Sequence, residues 1–107
     1  MDNTQPGVPS SQMWITLNNG HKMPKFGLGL LRMDNQQLVK DAVAKYGYCM
    51  YDSASYYKNE DMVGKALNEL INVDKSHKRE EIFVLSKAWW NEVEDVEAAC
   101  RRSLKDL

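Results

Sequence analysis

Hydrophobic and polar positions follow two periods along this chain, and the switches between them mark out its elements. Trp14-Ile15-Thr16-Leu17 alternates and is rich in β-formers, Asn18-Asn19-Gly20 is a turn signal, and Lys22-Met23-Pro24 follows. This predicts a short β-hairpin. Phe26 to Leu30 is apolar and too short for a helix, which predicts a buried strand with close approach at Gly27 and Gly29. Asp34 can cap a helix, in which Leu38, Val39, Ala42, Val43 and Tyr46 recur at helical spacing until Gly47 stops it. Tyr48 to Tyr51 predicts the next strand, and Met62, Val63, Ala66, Leu67, Leu70 and Ile71 the next helix. After a charged loop from Asp74 to Arg79, Ile82 to Leu85 is wholly apolar, as strands of a parallel sheet covered on both faces are. Val93, Val96, Ala99, Cys100, Leu104 and Leu107 mark a last helix.

The order is hairpin, then β-α-β-α-β-α, which predicts an α/β protein with a parallel sheet. The strands end at Gly29-Leu30, Asp52-Ser53 and Ser86-Lys87. In such sheets chemistry gathers at the carboxyl ends of strands. Residues 1–12, rich in Pro, Gly, Ser and Gln, read as a disordered tail, leaving 13–107 as the folded part.

Composition narrows the function classes. A net charge of −1 offers no field that would draw in nucleic acid or a membrane surface. The densest basic run, Lys75 to Arg79, is followed at once by Glu80 and Glu81 and reads as a solvated loop. No apolar stretch is long enough to span a membrane, and the polar start lacks the apolar core of a secretory signal. Cys49 and Cys100 form no CxxC pair and lie at apolar positions, which predicts two reduced core thiols in the cytoplasm. Two cysteines and two scattered histidines, His21 and His77, do not make a structural metal site, so no metal is expected.

The chemistry concentrates in GYCMYDSASYYKNE, Gly47 to Glu60, where a core strand ends on the charge of Asp52 and Tyr57 follows. If neighbouring strands bring Asp52, Tyr57 and Lys87 to one rim, they have a specific use. A tyrosine hydroxyl titrates near 10, and a nearby ammonium favours the phenolate and lowers that value. A lysine away from water needs a carboxylate partner to stay charged. Tyr57 could then act as a general acid toward a carbonyl oxygen. The plainer reading is a structural Asp52–Lys87 ion pair with Tyr57 packed among Tyr46, Tyr48, Tyr51 and Tyr56. Trp89-Trp90 either lines a pocket or covers the rim. Gly27-Leu28-Gly29 is no dinucleotide fingerprint, because position 32 is Arg where GxGxxG requires Gly.

Several motifs together resemble the aldo-keto reductases. Gly47-Tyr48, Asp52-Ser53-Ala54, Glu60 and Gly64 resemble the family's first signature. Leu17-Asn18-Asn19-Gly20 with Met23-Pro24 resembles its N-terminal hairpin, and Gly27-Leu28-Gly29 the end of its first barrel strand. Lys78 to Phe83 and Ser86-Lys87-Ala88-Trp89 resemble its third strand and catalytic lysine. The resemblance implies a (β/α)₈ TIM barrel that uses NADPH to reduce aldehydes and ketones. By position it implies Tyr57 as proton donor, Lys87 as the residue that tunes it, and Asp52 as their partner. Gly29, Leu30 and Asp52 would meet the cofactor, and Leu31, Tyr56 and Trp89 would line the substrate pocket.

There are departures. Where many members carry Thr and a bulky aromatic after Gly29, this chain has Leu30 and Leu31, which makes the pocket more aliphatic. Tyr56 before Tyr57 narrows the entrance. No residue matches the family's catalytic histidine on the next strand, or its phosphate-binding loops. A barrel of this type needs roughly 250 residues, so the expectation is the N-terminal third of one. Such a piece is expected to be marginally stable, inactive alone and prone to self-association through open sheet edges. The alternative is a non-catalytic fragment or isoform that acts through a partner at that edge.

Overall fold

The computed structural model describes residues 13–107; the tail expected at 1–12 lies outside the described residues. Strands β1 (Trp14–Thr16) and β2 (Lys22–Pro24) pair antiparallel, with Trp14 opposite Pro24. Their turn is closed by the Gly20 N–H on the Leu17 carbonyl at 2.9 Å. Gly20 takes φ +89°, a conformation that costs glycine little and other residues more.

The second sheet is parallel, in the order β3 (Leu28–Gly29), β4 (Met50–Asp52) and β5 (Phe83–Leu85). Helix α1 (Gln36–Ala44) joins β3 to β4, α2 (Glu60–Asn68) joins β4 to β5, and α3 (Val96–Asp106) follows β5. Side chains alternate across a sheet, and register aligns Leu28 with Tyr51 and Val84, and Gly29 with Asp52 and Leu85. The first row faces the helices. It packs with Leu30, Val39, Val43, Val63, Leu67, Leu70 and Ile82 into one core. Each such aliphatic side chain contributes on the order of 1.5–3 kcal/mol when fully buried. Tyr51 is wholly buried, and its hydroxyl donates to the Val39 carbonyl at 2.5 Å. Burial pushes its phenol well above the ordinary tyrosine value.

The second row faces away from the helices, and there the coverage on both faces that the apolar run Ile82 to Leu85 suggests is absent at the carboxyl ends of the strands. Leu85 is 38 % exposed and Gly29 is exposed, whereas Met50, two residues before Asp52 on the same face, is buried. The glycines also differ. A Cβ on Gly27 would stand 2.7 Å from the Met50 side chain, as expected, whereas nothing lies within 4 Å of one on Gly29.

Several boundaries move for local reasons. Asn35, not Asp34, caps α1 by accepting the Leu38 N–H at 3.1 Å. Tyr48 precedes β4; its N–H is spent on the Ala42 carbonyl at 3.0 Å, leaving the ladder to begin at Met50. Past α2 the chain continues as a π-helical turn, Glu69–Val73, with the Asp74 N–H on the Glu69 carbonyl at 2.8 Å. Lys40 bridges Glu69 at 3.0 Å and Asp74 at 2.7 Å across that turn. The last helix starts later than its apolar pattern suggests, after a 3₁₀ segment at Trp90–Asp95, and Asp95 caps it. Of its predicted apolar face Ala99 is buried and Leu107 packs on the core, but Val93, Val96 and Leu104 are exposed. Cys100 is exposed rather than a core thiol, since it shares that uncovered side; Cys49 is half-buried, and both are free.

Helices α2 and α3 meet at Gly64, where a Cβ would stand 1.9 Å from the Asp106 carbonyl oxygen. Backbone cannot yield as a flexible side chain does, so Gly64→Ala must push the helices apart. We expect it to destabilise the fold by about 1–3 kcal/mol, read as a lower midpoint of chemical unfolding. An unchanged midpoint would rule out this contact.

Candidate active site

The β-ladder continues one step past its strands. The Ser53 N–H donates to the Leu85 carbonyl at 2.7 Å and the Ser55 N–H to the Lys87 carbonyl at 3.2 Å. These bonds bring the segment after Asp52 alongside the segment after Leu85. Lys87 Nζ reaches Asp52 Oδ1 at 2.5 Å, the Ser53 carbonyl at 2.9 Å and the Tyr57 hydroxyl at 3.4 Å. It also lies 5.1 Å from the centre of the Tyr57 ring, within cation–π range. Burial pulls the Lys87 ammonium down, but the hydrogen bonds of Asp52 and Tyr57 and the charge of Asp52 outweigh it. Its pKa ends above the ordinary lysine value.

Tyr57 is delivered by a single 3₁₀ turn, Ser55–Tyr57, closed by its own N–H on the Ala54 carbonyl at 3.1 Å. Lys58 next to it sits at φ +58°, a left-handed conformation that costs a non-glycine residue about 1 kcal/mol or more. Asn59 then anchors the turn, its Nδ2 donating to the Leu30 carbonyl at 2.8 Å and the Met33 carbonyl at 3.1 Å. Glu60, buried at the start of α2, accepts the hydroxyls of Ser86 at 2.5 Å and Ser103 at 2.8 Å. That fixes the residue just before Lys87.

The other expected site residues divide. Gly29 aligns with Asp52 and leaves open space above it. Leu31 is 58 % exposed. Tyr56 and Trp89 stack with ring centres 4.4 Å apart and planes 13° from parallel, whereas Trp90 is exposed. Leu30 stands apart: its side chain is fully buried in the core, and it meets the site only through its backbone, N–H to the Asp52 carbonyl at 3.1 Å. His21 and His77 are not at this rim. His21 shares a groove with Arg79 and Ile82 just before β5, and His77 lies in the loop after α2 with Nδ1 2.9 Å from the Ser76 hydroxyl. Among the described residues no cluster of three or more His, Cys, Asp or Glu could hold a metal, and no helix is long and apolar enough to cross a membrane.

Three polar anchors escaped the sequence reading: the Ser53 carbonyl, Asn59 and Glu92. A backbone oxygen carries no sequence signal, and Asn59 and Glu92 act across 29 and 37 residues of chain. The Ser53 hydroxyl is wholly buried without a partner among the described residues.

A lysine, a carboxylate and a tyrosine are thus gathered at the carboxyl ends of the parallel strands of an α/β domain, the side where ligands of such open sheets bind. The chain belongs to the aldo/keto reductase family, whose sequence model matches residues 25–107. It is 44 % identical over 97 residues to aldo-keto reductase family 1 member A1-A of Danio rerio, covering 87 % of this chain and 30 % of that protein. It is 47 % identical over 98 residues to aldo-keto reductase family 1 member A1 of Xenopus tropicalis, 86 % of this chain and 29 % of that one. Against the NADPH-dependent D-xylose reductase of Candida boidinii it is 41 % identical over 98 residues, 87 % of this chain and 30 % of that enzyme. The chain therefore spans about 30 % of the length of the curated relatives it matches.

Proposed function

We propose that this chain supplies part of the catalytic rim of an NADPH-dependent reductase of aldehydes and ketones, within a longer (β/α)₈ barrel. The observation that carries the reading is Lys87 Nζ within hydrogen-bond reach of both Asp52 and the Tyr57 hydroxyl. The names of relatives such as the D-xylose reductase support the cofactor and the substrate class. Both cysteines are free thiols, which suits a cytoplasmic setting.

The residues present fit the nicotinamide end of the cofactor. Gly29 offers open space beside Asp52, and only one Asp52 oxygen is engaged among the described hydrogen bonds, leaving the other for a ribose hydroxyl. Among the described residues none is matched to its phosphates. When bound, the cofactor supplies the hydride. Tyr57 gives its proton to the carbonyl oxygen as negative charge develops there. Lys87 stabilises the phenolate left behind, and Asp52 keeps Lys87 charged and in place. Leu31, Tyr56 and Trp89 form an apolar wall for the rest of the substrate. Leu30 serves as the buried support of β3 rather than as a surface for the cofactor.

Residues 1–107 by themselves are expected not to turn over, since the described residues present neither a rim histidine nor groups matched to the cofactor phosphates. A chimera tests the reading: residues 14–107 replace the matching segment of the Candida boidinii enzyme. Aldehyde-dependent NADPH oxidation by the chimera, and none by the isolated chain, is the expected result. A chimera that melts cooperatively yet shows no turnover would sink it. Such an outcome would favour a non-catalytic chain that acts through β3 and β5, each of which has one unpaired edge among the described strands.

A further inference from the structure

Glu92 lies in the 3₁₀ segment after Trp89, outside every motif that the sequence reading singled out, and its side chain is only 17 % exposed. Its Oε1 accepts both the Ser55 hydroxyl and the Trp89 N–H, the latter at 2.8 Å. Its Oε2 takes Arg102 of α3 at 3.2 Å. Ser55 opens the turn that carries Tyr56 and Tyr57. Trp89 ends the stretch that carries Lys87. One carboxylate oxygen thus receives hydrogen bonds from both segments, beside the backbone bond between Ser55 and Lys87. Charge-assisted hydrogen bonds are short and directional, so they fix a separation that apolar contact alone would leave free to slide. The Ser55 hydroxyl, then the Trp89 amide and Arg102, hold the Glu92 carboxyl below the usual carboxylate range, so the clamp stays charged at neutral pH.

We propose that Glu92 is a positioning residue that locks the Tyr56–Tyr57 turn to the Lys87–Trp89 segment and keeps Tyr56 stacked on Trp89. Its catalytic consequence rests on the reductase reading; its geometry does not. The hydrogen bonds of Glu92 go to Ser55, Trp89 and Arg102 rather than to Lys87 or Tyr57, so it acts through the segments that carry those two.

Hydrogen–deuterium exchange on the protein as its gene encodes it needs no turnover, so this proposal and the reductase reading can fail separately. In Glu92→Ala, peptides spanning residues 53–58 and 86–92 should exchange roughly tenfold faster, the factor lost with one charge-assisted hydrogen bond. The peptide covering α2 should not change. Glu92→Gln should restore most of the protection, because its amide oxygen can accept the same two donors. No change in either segment, or an equal rise throughout α2, would overturn the proposal. Should Glu92→Ala fail to fold, Ser55→Ala decides: it should loosen 53–58 while the Trp89 amide stays protected. Unchanged exchange at 53–58 would count against the clamp.

Discussion

Tyr57→Phe is expected to lower kcat for carbonyl reduction by about 10²–10⁴-fold, the range contributed by a positioned general acid, while KM changes little. The substitution removes one oxygen and leaves the ring, which packs partly against the core. The fold and the Lys87–Asp52 pair should survive, so the melting midpoint should stay close to that of the parent. The hydroxyl matters only where a proton must reach the substrate oxygen, and an interaction made only in the transition state lowers kcat and kcat/KM together. The measurement is steady-state NADPH oxidation by the chimera with and without the substitution. Equal rates would remove Tyr57 as proton donor and return it to the plainer role of a packed aromatic.

Lys87→Met has the second largest expected effect, about a 10²–10³-fold loss in kcat, comparable with deleting one preorganised donor at a site of developing charge. Methionine keeps much of the length and bulk of the lysine stem but holds no charge beside Tyr57. Asp52 then loses its partner at 2.5 Å, and the Ser53 carbonyl loses its donor. Lys87→Arg should recover only part of the rate, because a planar guanidinium cannot place one nitrogen against three acceptors as an ammonium does. The raised pKa fixes the sign of the pH dependence. The stability that Lys87 draws from its partners is fully present below the unfolded lysine value of about 10.4. It is lost only as pH rises through the higher folded value. Wild-type activity should therefore not fall through deprotonation of Lys87 near neutral pH. A rate unchanged in Lys87→Met would show that Tyr57 works without the cation.

The chain pattern determined the order hairpin, then β-α-β-α-β-α, because each period and each stop is a local property. Trp14 to Thr16 alternates around an Asn-Gly turn, and Val39, Ala42 and Val43 fall on one face of α1 wherever that helix packs. Asp52 and Lys87 were legible as a pair for a related reason: each follows a short apolar run, and parallel strands in register bring such ends together. Tertiary structure decided what local signals cannot carry. The apolar run Ile82 to Leu85 reads the same whether one face or two are covered, and only the layers show Leu85 exposed. Cys100 and Leu104 carry the helical period of a buried face, yet burial needs a neighbour, and α3 has none there among the described residues. Leu30 looked like a rim residue by its place after Gly29, but the side-chain alternation of a strand turns consecutive residues to opposite faces and sends it into the core. Hydrogen bonds that close over 29 or 37 residues, through Asn59 and Glu92, exist only once the sheet has brought distant segments together.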